Sequence, residues 1–97
     1  MDKVVLKLLA EMFHNFGTFE LSPSLDLYGT GLERGYCLNW WYKEEENKIE
    51  INLFTPLPYC GLDYNRMQNL LVERFKKSKL VDKVVKIGAC RIDVYLK

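Results

Sequence analysis

A single histidine, His14, is all this chain offers to histidine-dependent acid/base or nucleophilic relays, and the local pattern puts it on the polar side of an expected helix near Lys7. Cysteine is also scarce. Cys37, Cys60 and Cys90 are an odd number with no C-x-x-C pair, which fits neither a disulfide framework nor a zinc site with its close ligand pairs. Buried free thiols are expected; a Cys37 to Cys90 bridge is the alternative, since both fall on expected strands. No apolar run approaches the ~18 residues of a membrane-spanning helix, and Lys7 and Glu11 interrupt the first apolar segment. A cytoplasmic location with no membrane contact follows as the expectation.

Phosphate and metal signatures are missing as well. The glycines of Gly29-Thr30-Gly31-Leu32-Glu33-Arg34-Gly35 lack the lysine and hydroxyl pair of a P-loop and the third-glycine spacing of a dinucleotide fingerprint. The stretch from Cys60 to Arg66 has the cysteine-to-arginine spacing of a phosphatase loop. Tyr59 stands where that loop has histidine, however, Asp63 would put a carboxylate in the anion cradle, and only one glycine lies inside. Glu44, Glu45 and Glu46 are neighbours on one turn and do not converge on a metal. No catalytic residue, cofactor or metal is therefore expected.

What is present is an ordinary globular composition, with 48% hydrophobic, 28% charged and 13% aromatic residues in 97. That length makes one domain, 1–97. From Asp2 to Phe16, the residues Val4, Val5, Leu8, Leu9, Met12, Phe13 and Phe16 recur at helical spacing up to Gly17. Thr18 to Ser22 suits a short strand. The glycines and Pro23 then make 22–35 read as a loop, with at most a strand at Leu25 to Tyr28.

Tyr36 to Lys43 and Lys48 to Thr55 form the clearest hairpin, closed at Glu44 to Asn47. Pairing Lys43 with Lys48 puts Leu38, Trp40, Tyr42, Ile49, Ile51 and Leu53 on the core face. Trp41 with Glu50, Asn39 with Asn52, and Cys37 with Phe54 fall on the other. Asp63 reads as the N-cap of a second helix, with Leu62 and Met67 as a hydrophobic staple and Tyr64, Met67, Leu70, Leu71 and Phe75 as its stripe, running to about Lys79. Gly88-Ala89 suggests a two-residue turn in a final hairpin. That turn pairs Val81, Lys83, Val85 and Ile87 with Leu96, Val94, Ile92 and Cys90 on one face, and sets Lys86 opposite Arg91 on the other. The expected fold is α+β, with two amphipathic helices packed on one face of an antiparallel sheet built mainly from two hairpins, in the order α-(β)-β-β-α-β-β.

Two surfaces stand out. Trp40 and Trp41 are neighbours on a strand and must point to opposite faces, so one is left over after the core is filled. By the pairing above it is Trp41, with Asn39, Phe54 and, if the hairpins share a sheet, Tyr95. This face suits a protein interface, most simply a homodimer contact; the competing placement is Trp41 packed under the 22–35 segment. The second surface is a charge asymmetry. Residues 1–62 carry five Lys plus Arg against nine Asp plus Glu, whereas residues 63–97 carry nine against four. The excess lies in Arg74, Lys76, Lys77, Lys79, Lys83, Lys86 and Arg91, and Lys86 opposite Arg91 would be relieved by a nearby acid, with Asp93 two residues from Arg91 on the same face as the candidate, or by a bound anion. The expectation is a non-enzymatic protein-binding module of the adaptor, immunity or mobile-element inhibitor kind, acting on an unidentified protein partner. The alternative is a nucleic-acid-binding protein using 74–91.

Overall fold

The computed structural model describes residues 2–12, 19–21, 27–33, 36–54 and 63–97. Within them the chain runs α1 (Asp2–Met12), β1 (Phe19–Leu21), β2 (Leu27–Glu33), β3 (Tyr36–Lys43), a 3-10 turn (Glu44–Glu46), β4 (Lys48–Phe54), α2 (Tyr64–Lys76), β5 (Val81–Ile87) and β6 (Arg91–Leu96). It is a small α+β fold. The strands form one antiparallel sheet in the order β1-β2-β3-β4-β6-β5. The hairpins thus share a sheet through the β4–β6 ladder. No helix among the described residues is long and apolar enough to cross a membrane.

The β3–β4 register is the one expected, from Lys43 opposite Lys48 to Cys37 opposite Phe54. At its tip Asn47 takes the left-handed conformation, φ 50° and ψ 48°. Its side chain accepts a hydrogen bond from Tyr42 Oη at 2.8 Å and donates to the carbonyls of Leu96 and Lys97 at 3.3 and 3.2 Å. One residue thereby supplies a turn conformation and ties the tip to the end of β6.

Along β2 the expectation of a loop fails. Gly29 and Gly31 pair in register with Trp40 and Leu38 of β3, and β2 is held between β1 and β3. Glycine weakens a strand by entropy and by the side chain it lacks. Ladders on both sides of Gly29 and the β3 ladder at Gly31 compensate, and at both positions the β3 partner is large and buried.

In β5 the turn spans Gly88, Ala89 and Cys90 rather than two residues, with Gly88 at φ +60°. Pairing is shifted by one residue from the expected register, with Lys86 opposite Ile92 and Ile87 opposite Arg91. A bulge between Val81 and Lys83 absorbs the shift, so that Val81 meets Leu96 as expected. Because side chains alternate with period two, the slip turns every residue from Lys83 to Ile87 to the other face.

The core gathers Leu38, Trp40, Tyr42, Ile49, Ile51, Leu53, Val81, Ile92 and Val94 from the sheet, with Val5, Leu8, Leu9 and Met12 from α1 and Met67, Leu71, Val72 and Phe75 from α2. α2 starts at the predicted cap, where Arg66 N donates to Asp63 Oδ1 at 3.1 Å. Its buried stripe is rotated from the expectation: Gln68 and Val72 are buried while Tyr64 and Leu70 are only half-buried. Gln68 is admitted because its Nε2 donates to the carbonyls of Gly88 and Arg91 at 3.2 and 3.0 Å, stapling the helix to the final turn. The helix stops at Lys76, short of Lys79; Ser78 N donates to Phe75 O, and Ser78 Oγ and O accept from the amides of Leu80 and Val81. His14, Cys60 and Leu62 lie outside the described residues.

Candidate interaction surface

The outer face of the sheet, opposite the core, is built by the second set of alternating positions. Rows across it read Val85, Asp93, Glu50 and Trp41, then Ile87, Arg91, Asn52 and Asn39, then Lys83, Tyr95, Lys48 and Lys43. Trp40 and Trp41 divide as alternation requires, Trp40 being 1% exposed and Trp41 44%. Asn39 is exposed one row from Trp41 and Phe54 two rows away, opposite Cys37, and Lys43 Nζ lies 5.4 Å from the centre of the Trp41 ring. Tyr95 is on this face but not in this patch. It is half-buried on the far side of β4, between Lys48 at 5.6 Å and Lys83 at 4.8 Å from its ring.

Between Trp41 and Tyr95 lies a set of ion pairs that composition did not reveal. Lys48 Nζ is 2.9 Å from Glu46, 3.3 Å from Asp93 and 3.5 Å from Glu50; Lys43 Nζ is 2.7 Å from Glu50. Arg91 grips Asp93 with two hydrogen bonds of 2.8 and 2.9 Å and lies 3.5 Å from Glu50. Three cations thus face three carboxylates. Among the described residues no buried side-chain nitrogen or oxygen lacks a partner.

The electrostatics follow from this geometry. Burial works to raise the Asp93 pKa, but the hydrogen bonds and charge of Arg91 and Lys48 together outweigh it and hold the carboxyl below its ordinary value. The Glu46 hydrogen bond, joined by Asp93, pushes Lys48 above the ordinary lysine value against its desolvation. The same Lys48 bond draws Glu46 down, and Asp93 raises Arg91.

Several expectations are corrected here. Lys86 does not face Arg91: it points toward α2 and donates to Asn69 Oδ1 at 2.8 Å, while Arg91 is satisfied by Asp93. The like-charge pair that invited an anion is absent because of the register slip. At the hairpin tip, Glu46 turns back to Lys48. Cys37 and Cys90 are free thiols; β4 separates them, Cys37 pairing with Phe54 and the Cys90 carbonyl accepting from Leu53 N, so their backbones stand about two strand spacings, ~9.6 Å, apart.

Of the basic residues, Lys76, Lys77, Lys79, Lys83 and Lys86 are exposed, whereas Arg74 and Arg91 are half-buried and Arg74 Nη1 donates to the Met12 carbonyl at the end of α1. Sequence reasoning missed Val85 and Ile87, both exposed on the outer face. Their alternation with Lys83 fits either face, and only the bulge decides it.

The fold and this surface define a small α+β domain whose outer sheet face carries aromatic side chains around a self-neutralised charge cluster. Comparison with known protein families, with characterised proteins and with solved structures finds no match.

Proposed function

We propose that the chain is a cytoplasmic, non-enzymatic protein-interaction module that forms a homodimer through its outer sheet face, centred on Trp41 with Asn39, Phe54 and Tyr95. In this reading both amphipathic helices cover the core face and leave the other open. The observation that carries it is Trp41, 44% exposed in the middle of a strand and followed by Phe54 at 38%. Large rings of this kind are enriched at the centres of protein interfaces. The adjoining charges add support, because carboxylates and cations already paired with one another need little new compensation when a partner displaces water. Free thiols at Cys37 and Cys90 suit a reducing compartment.

Trp41→Glu is expected to weaken self-association by at least 30-fold on the scale of a ~2 kcal/mol tryptophan hot spot, leaving circular dichroism unchanged. Sedimentation equilibrium of both proteins reads this out. A wild-type chain that stays monomeric at its highest soluble concentration overturns the dimer.

The five exposed lysines from Lys76 to Lys86 favour a second reading, nucleic-acid binding, for which Arg74 and Arg91 would be the further contacts. Fluorescence anisotropy of a labelled mixed-sequence single strand decides between them. The protein-interaction reading expects no binding at low salt; micromolar binding that collapses with added salt would move the function to this stretch.

A further inference from the structure

β5 ends the sheet, and its seven residues present a second edge that no described strand pairs with. Such an edge is a template for one more strand, because its outward amides and carbonyls are already extended and spaced for a ladder. The bulge confines irregularity to Asp82, so the stretch from Lys83 to Ile87 is regular. On it Lys83, Val85 and Ile87 line the outer face, with Lys86 on the core side. All four are exposed, and Lys76, Lys77 and Lys79 stand just ahead of the strand.

From these observations we infer that the β5 edge takes up an extended acidic segment of a partner protein by strand addition. Charge selects the occupant. A second copy would bring the same lysines to the same edge, and lysine on an edge strand opposes self-pairing. A strand carrying carboxylates opposite Lys83 and Lys86 would instead neutralise both, and its apolar residues would cover Val85 and Ile87. Lys83 and Lys86 are three residues apart and so on opposite faces. The recognised segment therefore has two acidic residues three apart with β-branched residues between them. This names a partner for the protein-interaction reading, and it rests on that reading while using the backbone edge of β5 and not the sheet face around Trp41.

The probe is the labelled peptide Thr-Glu-Val-Val-Glu-Val-Thr, with Thr-Lys-Val-Val-Lys-Val-Thr as its counterpart, titrated into the full chain and followed by anisotropy and by amide chemical shifts. The acidic peptide should bind with shifts concentrated at 83–87, and Lys83→Glu/Lys86→Glu should weaken it about tenfold or more while gaining affinity for the lysine peptide. Trp41→Glu should bind the acidic peptide as the wild type does, so loss of the dimer and loss of the peptide are separate results. Equal binding of both peptides, shifts centred on Asn39 and Phe54, salt-sensitive capture of an oligonucleotide in place of the peptide, or concentration-dependent protection of the β5 amides without peptide would each overturn the proposal.

Discussion

Replacing Asp93 by asparagine should lower the unfolding free energy by about 3 kcal/mol at pH 7, the scale seen when one member of a buried ion pair is removed. Asp93 is 2% exposed and accepts from both Arg91 and Lys48. Without its charge, Lys48 keeps Glu46 and Glu50, but Arg91 loses a two-point partner and retains only Glu50 at 3.5 Å. The pH dependence gives the effect a signature. Because the folded pKa of Asp93 lies below its unfolded value, its contribution is fully present above the unfolded pKa of about 3.9 and is lost as pH falls through the folded value. Urea unfolding of both proteins should therefore show a gap that is constant near neutrality and closes below about pH 4. Glu46 has the same sign and adds to the acid loss in both proteins. Lys48, raised above its usual value, contributes throughout and weakens only in strong alkali. A gap unchanged at low pH would mean that Asp93 is held by shape and not by charge.

Adjacent tryptophans should behave as opposites. Trp40→Ala is expected to cost about 3–5 kcal/mol, because it empties a buried core position opposite Ile51. That is a large share of the roughly 5–15 kcal/mol that holds a domain of this size. Trp41→Ala should cost no more than about 1 kcal/mol, since the side chain is nearly half exposed and lies outside the buried core. Chemical denaturation of the two variants and the wild type, at a concentration low enough for all three to be monomeric, is the measurement. Equal losses would place Trp41 in the core, and the interface built on it would fall.

This division of the tryptophans was legible in the sequence because it needs only period-two alternation and a turn of known length. The same arithmetic fixed the β3–β4 register, and a capping residue ahead of a helical apolar stripe marked the Asp63 cap. It failed in β5, where Val81, Lys83, Val85 and Ile87 alternate equally well with Asp82, Val84 and Lys86, so that turn length alone set the face. A third turn residue and one bulge reversed it. β2 was hidden for another reason: a strand whose alternate positions are Gly29 and Gly31 has little propensity of its own and exists through its neighbours. Of the ion cluster only the Arg91–Asp93 pair, two residues apart on one face, could be read locally. Lys43, Glu46, Lys48 and Glu50 are local, but Arg91 and Asp93 reach them only once β6 lies beside β4.

That placement of β6 also orders the way the chain assembles. β1 to β4 form a meander whose neighbours in space are neighbours in sequence, and α2, β5 and β6 form a second local unit. The β4–β6 ladder between them joins Lys48 to Tyr95, a loop closure far longer than any hairpin and the slowest of the contacts to find by chance. The two units bear opposite net charge, with the acidic excess in 1–62 and the basic excess in 63–97. Attraction between the oppositely charged halves thus acts across a seam that local folding does not close, so a charge asymmetry that resembles a binding signal has an intramolecular reading as well.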